Sequence, residues 1–495
     1  MKNQKRTQYF VLILIITALI YHQYLGLNLF LISVVSVIYL KINHSQPTTS
    51  YWWLSASLWM GSGLAFALNN GYLSPFLYVI NGINFYNVAQ NPKSQFPFTL
   101  LKSVMSFFIG ILYSIFPYSF LNPKPEITTN ENNKSKTIFK SILTYSIPFV
   151  LVIVFLKLYQ QANPKFAELT EFLNLEFISW NFILTYIVFY ITLNGFYFYY
   201  KVDDSLDQLG NNKSNDVDAN YSDKIETKFG IKNELKVTKL TVVTLTLLLT
   251  AFLIVDALTV FNLIDNNLSH TDNVHQGIFV LITSVIFVII IVSISFRGQL
   301  NFYKDNTLKP LTIFWLILNV VLIGLNTIKN NNYIAEWGLT HKRVGVFVYL
   351  ILCVIGLLFT IYKIKKNKTF WFLMNKTTLT FMSLLVIYSM LNWNGLIAKY
   401  NLSDNRFPPE KIDLYYNLEL GYEAYPYLMV YFKKHPMPNN IVHKKFDYLV
   451  KNFQPAITQW KEFPSFRLSR YLVYQKLKNY EPLKDNDYAP IRFYD

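Results

Sequence analysis

Charged residues and cysteine are both scarce in this chain, and each shortage excludes something. Only 15% of its 495 residues are Asp, Glu, Lys or Arg, against about 25% in an average soluble domain. The single cysteine, Cys353, lies inside an apolar run and cannot form a disulfide within the chain. We therefore expect neither a soluble globular protein nor a disulfide-stabilised fold.

Short motifs of the common nucleotide-binding and hydrolytic enzymes are also missing. The sequence contains no Walker phosphate loop, no Rossmann glycine fingerprint and no His-Glu-x-x-His zinc motif. It contains no Gly-x-Ser-x-Gly nucleophile turn either. We therefore predict no catalytic residues, no cofactor and no ATP-driven pump on this chain.

Long apolar runs dominate the sequence, and 52% of the residues are hydrophobic. A helix of about 20 residues crosses a hydrocarbon layer roughly 30 Å thick, and it satisfies its own backbone hydrogen bonds in lipid. The pattern predicts an all-α polytopic transmembrane helix bundle of about 11–12 spans with a small helical C-terminal domain. The predicted spans are two short helices within 10–40, then 51–68, 103–119, 141–156, 178–200, 240–262, 277–296, 310–328, 344–362 and 377–393.

One further apolar segment, 72–88, is unusually polar for a membrane helix. It contains Asn81, Asn84 and Asn87 as well as Pro75. Polar side chains are costly against lipid, so this composition favours a re-entrant or tilted helix over a lipid-facing one.

Positive charge is distributed unevenly between the predicted loops. Loops assigned to the cytoplasm hold 22 Lys and Arg residues, and loops on the other side hold 5. By the positive-inside rule, we expect an uncleaved first helix, a cytoplasmic N-terminus, eleven spans and an external C-terminus. This assignment requires that 72–88 does not complete a crossing. The net charge of +16 indicates contact with anionic lipid, and we expect no nucleic-acid partner.

Composition also predicts where the chain divides, because residues after Trp393 carry charges throughout and show helical spacing of apolar residues. We expect this tail to lie near the membrane face and to be able to bind a protein partner. The predicted parts are N-terminal transmembrane helices at 1–135, a central helix pair at 136–199, a polar cytoplasmic loop at 200–239, C-terminal transmembrane helices at 240–393 and a soluble helical tail at 394–495.

Asp256 is an acid near the end of the predicted span 240–262. A carboxylate in hydrocarbon is costly, so it tends to line a cavity or to pair with another group. Two interpretations remain: a proton or cation site, or a structural acid that bonds to a neighbouring helix.

His270, Asp272 and His275 follow that span in a predicted external loop. Imidazole and carboxylate groups can bind zinc, but Asp272 is equally well placed as the N-cap of the next helix. We favour the capping role and predict no metal.

A second external loop, predicted at 329–343, contains Glu336, His341 and Arg343. One hypothesis is that these residues, with Asp256, Asp272 and His275, form a polar cluster that binds an anion through the forked guanidinium of Arg343. The alternative is a set of interfacial salt bridges or lipid headgroup contacts.

Four stretches of the sequence resemble a known bacterial family of multi-spanning membrane proteins. They are Ala162-Asn-Pro-Lys-Phe166, Asp272-Asn-Val-His-Gln-Gly277, Glu336-Trp-Gly-Leu-Thr-His-Lys-Arg-Val-Gly345 and Asn394-Gly-Leu-Ile-Ala-Lys-Tyr-Asn-Leu402. The resemblance covers roughly residues 140–430 and is to a family defined only as a domain of unknown function. It implies an all-helical fold in the inner membrane and implies no activity.

Two functional hypotheses follow. The favoured one is a non-enzymatic sensory, scaffold or envelope component whose tail is an interaction module, because the spans contain few acids or bases. The alternative is a secondary transporter or membrane-embedded enzyme that uses Asp256 and the polar external loops.

Overall fold

The chain is all-α throughout the described residues, and no β-strand forms among them. The computed structural model describes residues 2–43, 48–69, 71–90, 185–186, 188–190, 216, 231–261, 284–296, 299–303, 305–403, 406–435, 441–456 and 462–480. The predicted spans 103–119 and 141–156, and all but five residues of 178–200, lie outside them.

The molecule forms two compact units, Met1–Tyr21 with Ser106–Tyr200 and His22–Met105 with Lys201–Asp495. In the first unit, helix α1 spans Lys2–Ile20, and its Phe10 ring stacks on Tyr190 with the centroids 5.8 Å apart. The second unit contains α2 (Leu27–Asn43), α3 (Ser50–Leu68), α4 (Ser74–Gln90), α5 (Ile231–Val260), α6 (Ser284–Ser295), α7 (Leu308–Trp337), α8 (His341–Lys365) and α9 (Phe370–Met390). Its tail adds α10 (Trp393–Asn401), α11 (Leu414–Glu419), α12 (Tyr425–Lys434), α13 (Ile441–Ala456) and α14 (Leu468–Leu477).

Four of the described helices, α5 from Glu234 onward and α7, α8 and α9, are long and apolar enough to cross a membrane. Even α9, with 21 residues, extends roughly 31 Å at about 1.5 Å per residue, which matches the hydrocarbon layer. The prediction of a membrane protein built from transmembrane helices is therefore confirmed. All four helices begin before the predicted spans, and α7 and α8 also end after them.

Helices α2 and α3 pack antiparallel at very close range. The Lys41 ammonium at the end of α2 lies 4.8 Å from the ring centre of Trp53 at the start of α3. Near the other end, a Cβ added to Gly63 would lie 2.8 Å from the Cα of Phe30. Only a residue without a side chain permits this approach, so Gly63 sets the distance between the two helices.

Most of the segment 72–88, predicted to be a re-entrant or tilted helix, lies in the continuous helix α4. The ring of Tyr78 packs on Phe66, and the ring of Phe85 packs on Trp52 at 5.1 Å. Helix α4 therefore runs antiparallel to α3 along most of its length, and that it does not complete a crossing stays a prediction. Residues 81–89 are all buried, so the asparagines that made the segment too polar for lipid are covered by protein.

An apolar core is shared by the helices α5, α6, α7 and α8. At one end of it, the fully buried Lys363 of α8 donates a hydrogen bond to the carbonyl of Phe296, 2.9 Å away, just beyond α6. The last carbonyls of a helix have no partner within the helix and carry partial negative charge, so an ammonium is favourable there. Asn301 donates to the same oxygen, which fixes the turn after α6.

The tail packs its own core and attaches to the turn before α2. The amides of Leu27 and Asn28 donate to the carbonyls of Phe466 and Pro464, at 3.0 and 2.9 Å. Gly421, with a left-handed φ of 86°, interrupts the helical run between α11 and α12. This interruption places the 419–423 turn beside the ends of the membrane helices.

We predict opposite effects of alanine at two helical glycines. Gly63→Ala should destabilise the protein by about 1–3 kcal/mol, because its methyl group meets the backbone of α2. Gly324→Ala on α7 has no atom within 4 Å of the new Cβ and should stabilise by about 0.5–1 kcal/mol through helix propensity. Thermal unfolding of the two purified variants measures both effects. Equal melting temperatures for the two variants would contradict the close-packing argument.

Candidate functional site

The four described residues of the predicted polar cluster, Asp256, Glu336, His341 and Arg343, lie on different parts of the fold. Asp272 and His275 lie outside the described residues. Asp256 lies on α5, Glu336 is exposed in the last turn of α7, and His341 and Arg343 open α8. The external loop predicted at 329–343 is mostly helical, because α7 continues to Trp337 and only Gly338–Thr340 connect it to α8.

Asp256 forms an ion pair with Lys329 of α7, with Nζ and Oδ1 2.5 Å apart. The two side chains are only 10% and 18% exposed. Two charges that face each other between membrane helices cost much less than either would alone. The pair therefore supports the structural interpretation of Asp256, although its second oxygen, Oδ2, is buried without a hydrogen-bond partner.

Arg343 stabilises the connection between α7 and α8 and does not present a free guanidinium. Its Nη1 donates to the carbonyls of Trp337, at 2.8 Å, and Gly338. The guanidinium also lies 4.0 Å from the ring centre of Tyr333. Through these contacts Arg343 caps the C-terminal end of α7, and its anion-binding role stays a prediction.

His341 is the predicted residue that lines a cavity, and the cavity has a volume of about 550 Å³. This volume lies within the usual range for small-molecule sites. Membrane helices and tail both contribute walls. The lining is made by Asn69 with the turn before α4, the segment from Tyr388 to Asn394 between α9 and α10, the 419–423 turn, and His341.

A hydrogen-bonded chain of three side chains runs along one wall of this cavity. Asn394 Nδ2 donates to Glu423 Oε2 at 3.4 Å, and Asn394 Oδ1 lies 2.7 Å from His341 Nε2. An amide oxygen can only accept, so His341 carries a proton on Nε2 and keeps a lone pair on Nδ1 if the ring is neutral. Each member comes from a different element: α8, α10 and the turn between α11 and α12.

Glu423 is the buried acid of the cavity, with only 4% of the residue exposed. Burial raises the pKa of Glu423 above its ordinary value of 4.5, and hydrogen bonds from Asn394 and Tyr422 oppose the rise. Burial therefore favours the neutral acid of Glu423, whereas a nearby positive charge favours its carboxylate.

Two arginines of the tail support the 419–423 turn from outside the cavity. The Arg470 guanidinium lies 4.4 Å from the ring centre of Tyr422. Arg467 Nε donates to the carbonyl of Leu25 at 2.7 Å, and burial lowers the pKa of Arg467 to about 10. Neither side chain is part of the cavity lining, but both interact electrostatically with Glu423 and partly offset its charge.

Sequence reasoning did not assign chemistry to Asn394 or Glu423. Asn394 opens one of the stretches that resemble the family, and this was its only signal. Glu423 lies two residues after Gly421, whose backbone is left-handed. The helical spacing of apolar residues did not indicate this turn. No metal-ligating group of three His, Cys, Asp or Glu residues occurs in the part of the chain that the structure covers.

The comparison with protein families agrees with the resemblance noted in the sequence. The family model described as "Domain of unknown function (DUF4153)" matches residues 7–430. The chain belongs to this family. No curated protein and no solved structure matches it. The match ends after Glu423, so every residue that lines the cavity lies inside the DUF4153 region.

We predict that Asp256 and Lys329 depend on each other for stability. Asp256→Asn should destabilise the protein by about 3–5 kcal/mol, because Lys329 loses its counter-charge in a mostly buried site. Adding Lys329→Met should recover most of that loss, since no unpaired charge remains.

Thermal unfolding of the purified single and double variants measures this coupling. Lys376→Met, at an exposed lysine of α9, is the matched control and should leave the melting temperature unchanged. A double variant as unstable as Asp256→Asn alone would show that the pair is not coupled.

Proposed function

We propose that this DUF4153 protein is a non-enzymatic, sensory-type component of the bacterial inner membrane that binds a small ligand at its external face. The observation that carries this proposal is the cavity whose walls come from both the membrane helices and the tail. A ligand there would contact His341 on α8 and Glu423 in the tail simultaneously. Its binding would therefore change how firmly the tail is attached, which is the action of a sensor.

The charges at the two ends of the helices support this orientation. The end that bears the cavity carries few basic residues, whereas many lie at the opposite end; cytoplasmic ends of membrane helices are enriched in Lys and Arg. The tail has its own basic residues, but long translocated domains do not follow the rule. The basic residues at the opposite end are Lys41, Lys232, Lys236, Lys239, Lys309, Lys363, Lys365, Lys366 and Lys368.

The tail is suited to respond to a ligand because few direct bonds hold it to the membrane helices near the cavity. Asn401 of α10 accepts from the amide of Leu339 at 2.7 Å and donates to its carbonyl at 2.9 Å. The hydroxyl of Tyr416 accepts from the amide of His341 at 3.1 Å. We propose that a change in these contacts alters how the tail binds a protein partner.

The alternative function is a secondary transporter or membrane-embedded enzyme that uses Asp256. One observation favours it: the second carboxylate oxygen of the ion-paired Asp256, Oδ2, is buried and has no hydrogen-bond partner, and acids within membrane helices often mark ion pathways. A stable Asp256→Asn, Lys329→Met double variant that has lost a cellular function kept by Gly71→Phe would favour this alternative.

The orientation predicts which introduced cysteines react with a membrane-impermeant maleimide in intact cells. Glu410→Cys in the tail should be labelled, and Lys366→Cys should be labelled only after the membrane is broken, since both positions are exposed. The parent chain is a low-background control because its one cysteine, Cys353, is buried. The reverse labelling pattern would refute an external cavity.

Filling the cavity should abolish ligand binding without unfolding the protein. A side chain at Gly71 enters the cavity with no atom closer than 3.9 Å to its Cβ. Native mass spectrometry of full-length protein from its own membranes should show a small-molecule adduct in the wild type and in the control Gly324→Phe. The adduct should be missing in Gly71→Phe. No adduct in the wild type, or equal adducts in all three, would refute the proposal.

A further inference from the structure

The chemistry of the cavity lining indicates which class of ligand it takes, and this step rests on the proposed function. Two carboxylates, Glu419 and Glu423, are part of the lining, and no Lys or Arg is found among its described residues. Glu423 is buried while Glu419 is exposed. A cleft lined by one sign of charge concentrates ligands of the opposite sign.

Three side-chain nitrogens of the cavity lining already donate a hydrogen bond within the protein. Asn394 Nδ2 donates to Glu423, and Asn69 Nδ2 donates to the carbonyl of Leu391 at 2.8 Å. Trp393 Nε1 donates to the carbonyl of Tyr388 at 2.9 Å. A ligand that needs to accept hydrogen bonds would therefore find few donors on these side chains.

Some hydrogen-bond acceptors of the cavity, in contrast, have no partner within the protein. Asn69 is 7% exposed, and its Oδ1 is buried without a hydrogen-bond partner. If the His341 ring is neutral, with Nε2 donating to Asn394, its Nδ1 remains an acceptor. A buried acceptor without a partner is costly, so a bound donor group would remove this cost at Asn69.

Aromatic faces complete the lining. The rings of Tyr388 and Trp393 stack with centroids 5.0 Å apart and an angle of 26° between their planes. Indole and phenol faces attract cations. Carboxylate, spare acceptors and aromatic faces together match a group that carries positive charge and several N–H bonds.

We infer that the cavity binds a ligand through a primary ammonium group, which Glu423 pairs by charge and Asn69 Oδ1 accepts by hydrogen bond. The cavity lies at the ends of membrane helices. The ammonium therefore has two sources of the same chemistry: the ethanolamine headgroup of a phospholipid, or a soluble primary amine.

Calorimetric titration of the full-length protein in phosphatidylcholine nanodiscs tests the ammonium class. The probes are ethanolamine and its neutral analogue ethylene glycol. Ethanolamine should bind at least about tenfold more tightly, because a charge-assisted hydrogen bond contributes roughly 1.5–3 kcal/mol. Glu423→Gln should weaken ethanolamine binding by about the same factor, whereas the matched control Glu410→Gln should not.

A second variant, Gly71→Phe, and a measurement with lipid complete the experiment. Gly71→Phe, which fills the cavity, should also lose ethanolamine binding if Glu423→Gln proves unstable. In nanodiscs that contain phosphatidylethanolamine, native mass spectrometry reports whether that lipid stays bound to the wild type and is lost in Gly71→Phe. Retention of the lipid supports a headgroup site, and binding of free ethanolamine alone supports a soluble amine.

Equal binding of ethylene glycol and ethanolamine would overturn the ammonium inference and leave the proposed function standing. Binding of neither ethanolamine nor phosphatidylethanolamine would also overturn the inference. If the wild type from its own membranes carries no adduct as well, the proposed function falls with it. The two failures are therefore distinguishable.

Discussion

The position of the candidate site depends on the contact between the turn before α2 and the segment 464–467. A Cβ added at Gly26 would lie 2.5 Å from the carbonyl oxygen of Ser465, so the two backbones touch. Backbone hydrogen bonds on both sides of this contact hold the tail against the membrane helices. Since Arg467 and Arg470 follow directly and support Tyr422, the contact also determines where the acidic wall of the cavity lies.

Polar side chains inside the helices are also bonded within the protein. With little water available between membrane helices, a hydroxyl or amide there must find a partner in the protein. Many of them bond back to the carbonyl one turn earlier, as Thr312 does to Leu308 and Asn319 does to Trp315. Such bonds satisfy the donor locally and leave helix packing to apolar contacts and to close approaches such as Gly63.

Much of the helical framework follows from the sequence because the rule behind it is local. A run of apolar residues long enough to cross lipid must be a helix, and the observed α2, α3, α5, α7, α8 and α9 match predicted segments. Helix α4 did not follow as simply. Its asparagines are costly against lipid, and whether α3 and other protein cover them cannot be inferred from the segment itself.

By itself, the sequence determined that this is an all-α membrane protein with a distinct helical tail and no common catalytic motif. It also singled out His341, although for an anion-binding cluster whose described residues lie on different parts of the fold. Tertiary structure alone decided that Asp256 pairs with Lys329, that Arg343 caps α7, and that Asn394 and Glu423 meet His341 at a cavity. The physical reason is that hydrophobic periodicity is a property of one segment, whereas a binding site depends on distances between side chains far apart along the chain.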